Sequence, residues 1–256
     1  MICLDLSNHD ESTFDAVCFA AAGVTDVIMG CQLSGIPARR MIPKLQDVGI
    51  NVRGTYAFLG FNNWWLQPTR DAIQLAQAFN IPTVWLDAEG DDVVTGHIVP
   101  GVTPGQRIAR LHECVDLVQL AGLDVGIYTG GWFWPPYMNN TTEFSHLPLW
   151  HSAYPTNGQP ITEVAYGGWE KVSIHQYTSS YNVCNRNRDA NYIFEEEDDM
   201  TPEQAAKLDA VYNALCAGNK AVIDAWNANG NSMIAGYTLE QEKLGKVIQK
   251  IGGIDA

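Results

Sequence analysis

The sequence is poor in charge and poorer still in cations. Charged residues fill 17% of its 256 positions, and 15 Lys and Arg stand against 29 Asp and Glu, a net charge of -14. So acidic a balance disfavours a phosphate backbone, and no nucleic-acid partner is expected. No run approaches the roughly 18–20 apolar residues that span a bilayer, so no membrane insertion is expected. The opening Met-Ile-Cys-Leu-Asp-Leu-Ser lacks the basic and apolar regions of a leader, and we expect synthesis in a reducing cytoplasm without a signal peptide. Cys-x-x-Cys is absent among Cys3, Cys18, Cys31, Cys114, Cys184 and Cys216, which argues against zinc. Cys3, Cys18, Cys31 and Cys114 have apolar neighbours and read as small reduced core residues. There is no Gly-x-Ser-x-Gly elbow and no phosphate loop. His9, His97, His112, His146, His151 and His175 are scattered without metal-ligand spacing, and neither metal nor cofactor is expected. His175, beside Gln176, reads as ordinary packing rather than pocket lining. Asp91-Asp92 reads as a solvated loop.

What is present is alternation. Strands are expected at Ile2–Leu6, Asp26–Gly30, Val52–Phe58, Thr83–Ala88 and Val125–Tyr128. Helices are expected from Ser12 to Ala22 and over Pro37–Val48, Gln67–Asn80 and Thr103–Ala121. Such alternation implies parallel strands joined by crossover helices. Leu149–Tyr154, Val172–Tyr177 and Asp189–Ile193 then read as strands separated only by loops. The count fits an α/β fold, a TIM-like barrel with five βα units and eight strands.

A boundary is expected at the acidic run Glu195-Glu196-Glu197-Asp198-Asp199. Thr201-Pro202-Glu203-Gln204 and Thr238-Leu239-Glu240-Gln241 are capping boxes, each followed by an apolar stripe. We expect a barrel over residues 1–194 and a linker with a C-terminal α-helical appendage over 195–256, with residues 201–251 able to pair in a homo-oligomer.

In a β/α barrel the reactive side chains stand at the C-terminal strand ends. Those ends carry Asp5, Tyr56 and Phe58, Asp87 and Glu89, Tyr128, Trp150 and Tyr154, Gln176 and Tyr177, and Asp189. Asp87 and Glu89 are two apart and face one side of a strand. Mutual repulsion keeps one member of such a pair protonated near neutrality, which supplies the acid and the base of glycosidic cleavage. Residues so placed sit roughly 6.5–7 Å apart, wider than the about 5–5.5 Å of direct covalent attack. Water, or an acetamido group of the substrate held by Asp87, is then the expected attacker. Trp64, Trp65 and Trp132 lie in the loops after strands three and five and suggest sugar stacking.

Seven short pieces, in order, resemble the family 25 glycoside hydrolases, the lysozymes of bacteria and phage. They are Leu4-Asp5-Leu6-Ser7-Asn8-His9, Gly54-Thr55-Tyr56-Ala57-Phe58, Leu86-Asp87-Ala88-Glu89, Gly126-Ile127-Tyr128-Thr129, Pro148-Leu149-Trp150, Gln176-Tyr177-Thr178 and Asp189-Ala190-Asn191. The resemblance implies a muramidase whose partner is the peptidoglycan glycan strand, cut at the β-1,4 bond between N-acetylmuramic acid and N-acetylglucosamine. It implies Glu89 as general acid, Asp87 as the group that steadies the charged intermediate or orients the acetamido group, and Asp5 and Asp189 as pocket residues that tune the pair. Tyr56, Tyr128, Trp150 and Tyr177 would shape the sugar site. Action on a wall would follow release from the cell, as for a phage endolysin, or carriage in a phage particle. The sequence departs from the family at Met29-Gly30-Cys31-Gln32, at Ala57 and at His175. Those departures leave room for another polysaccharide as substrate, or for a barrel kept as a non-catalytic binding module.

Overall fold

The computed structural model describes residues 2–92 and 97–194. They fall in the first of two units into which the chain divides, residues 1–196. The helical appendage expected after residue 194 lies outside the described residues. Eight strands close into one barrel in chain order. They are β1 (Ile2–Leu6), β2 (Val24–Gly30), β3 (Asn51–Phe58), β4 (Thr83–Asp87), β5 (Asp124–Thr129), β6 (Leu149–Ser152), β7 (Ile174–Val183) and β8 (Arg186–Ile193). The helices are α1 (Ala16–Ala21), α2 (Ile36–Asp47), α3 (Leu66–Phe79), α4 (Pro104–Leu120) and the single turn α5 (Trp134–Tyr137). Strands β1 to β7 run parallel, while β8 runs antiparallel to both β7 and β1. No helix among the described residues is long and apolar enough to cross a membrane.

Local chemistry explains the main crossovers. Helix α4 opens on a capping box, with the Thr103 hydroxyl accepting from the Gln106 N–H and the Gln106 carboxamide accepting from the Thr103 N–H. Pro104 sits in its first turn, where a missing N–H costs nothing. The single helix expected from Ser12 splits instead into a 3-10 turn at Asn8–Thr13 and α1, because Ser7 caps the first and Asp15 the second. Strands β7 and β8 form a tight hairpin, whose turn residues Cys184 and Asn185 both have φ near 60° (52° and 60°). Two left-handed residues make the turn that matches strand twist. The sequence reading placed only a loop there, since Cys-Asn is not a usual hairpin signal.

Alternation sorts each strand into two faces. Leu4, Leu6, Ala57, Leu86, Ile127 and Leu149 point out into the layer under the helices. Cys3, Ile28, Tyr56, Trp85, Tyr128, Trp150 and Ile174 fill the lumen. The Trp85 indole lies across the two neighbouring strands, and a Cβ at Gly126 would come within 2.3 Å of it, one at Gly54 within 2.8 Å. Glycine on both flanking strands is therefore what admits a tryptophan at this level.

Cys18 on α1 and Cys184 in the β7–β8 turn form a disulfide, 166 residues apart in sequence. This corrects the expectation that Cys18 is a reduced core residue. The partner is distant in sequence, and only the hairpin brings it to α1. Cys3, Cys31 and Cys114 are free and buried, as expected. Disulfides persist in oxidising surroundings, which argues against a working life spent in a reducing cytoplasm. Closing so long a loop restricts the unfolded chain. The double variant Cys18→Ser/Cys184→Ser should lose about 3–4 kcal/mol, read as a fall in Tm of roughly 6–16 °C by calorimetry. An unchanged Tm would mean the bridge does not form.

Candidate active site

One small pocket at the C-terminal mouth of the barrel, about 70 Å³, is lined by Asp5, Tyr56, Asp87, Glu89, Tyr128, Trp150, Gln176 and Asp189. All eight were expected from the sequence. Asp5 and Asp189 are direct cross-strand partners between β1 and β8. Because β8 is antiparallel, Asp189 stands midway along its strand and still reaches the same mouth, opposite Asp5. A larger cavity, about 620 Å³, opens at the other end of the barrel around Asn51, Arg53, Pro82, Trp85 and Ile193. It holds none of the four acids, so the smaller pocket is where chemistry is placed.

A hydrogen-bond network fixes Asp5. The Gln176 amide donates to both its carboxylate oxygens (3.3 and 3.1 Å), and the Asn191 amide donates to Oδ2 (2.9 Å). Asn191 is oriented in turn by the Trp150 indole N–H (2.8 Å). The Gln176 carbonyl oxygen accepts from the hydroxyls of Tyr128, Ser152 and Tyr154, each at 3.0 Å. Asn191 stood among the strand-end residues without a role in the site, and Ser152 was missed. The alternation rule offered a signal for both, since each lies two residues from a named pocket residue.

Asp87 is nearly inaccessible, and its Oδ1 has no hydrogen-bond partner among the described atoms. Burial first, then the charges of Glu89 and Asp5, push its carboxyl well above the usual carboxylate range. Burial and the Asp189 charge push Glu89 to about 7. Burial and Asp189 push Asp5 to about 8, against the opposing pull of the Asn191 and Gln176 amides. Asp189 is raised by burial and by Asp10. Tyr56 and Tyr128 are raised by burial and by the surrounding carboxylates. Four acids thus compete for protons with no cation among the pocket-lining residues. Such a group holds a proton at neutral pH and can also supply an anion.

Other expected residues lie elsewhere. Gln176 points inward, so Tyr177 must point outward, where it stacks on Tyr192 at 4.3 Å. Tyr177 therefore does not line the pocket. His175 is also outward and fully buried. It accepts from the Ile161 N–H through Nδ1 and sits 2.8 Å from the Ala153 carbonyl through Nε2, a packing role as expected. Trp65 does not face the mouth. Its indole N–H donates to Glu113 (2.7 Å) and its ring lies under Arg110 at 4.3 Å, which ties α3 to α4. Phe58 is half-buried beside Asp87 in register and does not line the pocket. Trp64, Trp132 and Tyr154 are about half exposed, at 55%, 53% and 54%, and are free to meet a ligand. Asp91 is fully buried and paired with Arg107, which corrects the solvated-loop reading.

Residues 5–185 match the pattern of Glycosyl hydrolases family 25. The chain belongs to this family. It is 27% identical over 113 residues to the probable GH family 25 lysozyme 2 of Dictyostelium discoideum, covering 44% of this chain and 50% of that protein. The chain spans about half the length of the curated relatives it matches. Its fold is similar to the muramidase from Trichobolus zukalii (TM-score 0.60, 17% identity, 78% of this chain and 96% of that one). It is also similar to the autolysin LytC of Streptococcus pneumoniae in complex with a synthetic peptidoglycan ligand (TM-score 0.55, 18% identity, 74% and 46% covered). At these identities the structures speak for the family 25 barrel alone.

Proposed function

We propose that this family 25 chain is a muramidase that hydrolyses the β-1,4 bond between N-acetylmuramic acid and N-acetylglucosamine in peptidoglycan. The observation that carries the reading is the pocket of four acids, in which Glu89 keeps its proton up to about pH 7 and the buried Asp87 Oδ1 has no partner among the described residues. Glu89 gives its proton to the glycosidic oxygen as the C1–O bond breaks. The acetamido N–H of the sugar supplies the partner that Asp87 Oδ1 lacks and draws Asp87 toward its ionised form. The acetamido oxygen closes on C1. Water, deprotonated by the Glu89 carboxylate, then opens that intermediate and restores the acid. Asp5 and Asp189 hold the charge around the pair. Trp132 and Tyr154 offer exposed rings to the glycan outside the pocket.

The test is digestion of purified peptidoglycan, with products reduced and identified by mass spectrometry. Fragments ending in reduced muramic acid are expected. Fragments ending in reduced glucosamine would reassign the bond. Release from chitin oligosaccharides but not from peptidoglycan would reassign the substrate.

A further inference from the structure

The most heavily buried ion pair among the described residues begins two residues beyond Glu89 in the chain. Asp91 is 0% exposed and Arg107 2%. Arg107, in the first turns of α4, donates from Nε to Asp91 Oδ1 at 2.7 Å and from Nη2 to Oδ2 at 2.5 Å. Its Nη1 donates to the Tyr137 carbonyl at 3.3 Å, in the segment after β5. The same Asp91 carboxylate accepts the Val99 N–H at 2.7 Å, and its backbone carbonyl accepts from Asn62, after β3, at 3.1 Å. One buried pair therefore ties together the segments that follow β3, β4 and β5. On the other side of Glu89, the Ala88 N–H donates to Tyr128 and its carbonyl accepts from the Thr129 hydroxyl at 2.8 Å. Glu89 and Gly90 lie between two pinned points, Ala88 and Asp91.

We propose that Asp91 and Arg107 are positioning residues that hold the proton-donating carboxyl of Glu89 in the pocket. A buried pair of this kind has to justify its desolvation, since an apolar pair of similar volume stabilises a core about as well. Here the justification is geometric. The guanidinium fork fixes the orientation of Asp91, which a point contact does not. The inference rests on the reading of Glu89 as the acid.

The test uses the full chain and a soluble glycan of alternating N-acetylglucosamine and N-acetylmuramic acid, with kcat, KM and Tm measured for wild type, Arg107→Lys and Asp91→Leu/Arg107→Met. Lysine keeps the charge but loses the fork. The double variant removes both charges at once. Both variants are expected to lose about 100-fold in kcat, the size of effect that a small misplacement produces, with KM near wild type. Their alkaline limit of activity should also move to lower pH. Glu89 released from the pocket leaves behind Asp189 on β8, Asp87 on β4 and Tyr128 on β5, the groups that face it. A purely structural pair would lower Tm and leave that pH limit in place. Either variant with wild-type kcat, measured well below its own Tm, overturns the positioning role. An inactive wild type on this glycan overturns the catalytic reading instead, which separates the two.

Discussion

Glu89→Gln should reduce hydrolysis of peptidoglycan by about 10²–10⁴-fold, the usual contribution of general acid–base catalysis. The change is nearly isosteric, and it removes a carboxyl that is itself costly to bury, so the fold should persist with Tm at or above wild type. The wild-type rate should carry the signature of the same group. Glu89 acts only while protonated, and its carboxyl titrates near 7. The rate should fall on the alkaline side of about pH 7, and Glu89→Gln should lack that limb in whatever residual rate it keeps. Both are read from initial rates across pH, with circular dichroism to verify folding. A Glu89→Gln chain that clears peptidoglycan at the wild-type rate would remove Glu89 from the mechanism.

Asp87→Asn should trade activity for stability. Asp87 is buried, its Oδ1 has no partner among the described residues, and Glu89 and Asp5 press on it. Its folded carboxyl is raised above the unfolded value, so the folded state binds the extra proton and stability falls as pH rises. Below about pH 4 Asp87 is neutral in both states, and Asn gains nothing over Asp. Above that, the unfolded chain ionises Asp87 more readily than the folded chain, where burial and the charges of Glu89 and Asp5 hold the proton on. The variant then gains near neutral pH, by about 1.4 kcal/mol for each unit by which the folded carboxyl is raised, up to the pH of the measurement. Denaturant titrations at pH 4 and pH 7 measure this difference, which should be near zero at the first and positive at the second. Activity should drop on the order of 100-fold, since a charge that steadies the transition state is lost. A difference between variant and wild type that is the same at both pH values would mean that Asp87 is not held neutral.

Much of the site was legible because strand geometry is simple. Carried two residues past the end of Thr83–Asp87, the alternation rule puts Asp87 and Glu89 on one face, and the same rule places Tyr56, Tyr128, Trp150 and Gln176 at one mouth. Applied strictly, it would also have turned Tyr177 outward and drawn in Asn191 and Ser152. The loops were less legible. Trp64, Trp65 and Trp132 are chemically alike, yet Trp65 is taken by Glu113 and Arg110 while the other two stay exposed. Nothing local distinguishes them, because the decision lies with residues on α4.

The sequence by itself determined the alternation of elements, the acids at the strand ends, and the family's motifs in their order. These follow from short-range periodicity and from side-chain chemistry, which a linear reading carries. Only the tertiary structure decided which side chains meet across the barrel. It reversed β8 so that Asp189 stands opposite Asp5, joined Cys18 to Cys184, and buried Asp91 against Arg107. Each of these is a pairing between segments far apart or on different elements. Their free energy depends on the closed barrel, which sets the distance and the dielectric at which those groups meet.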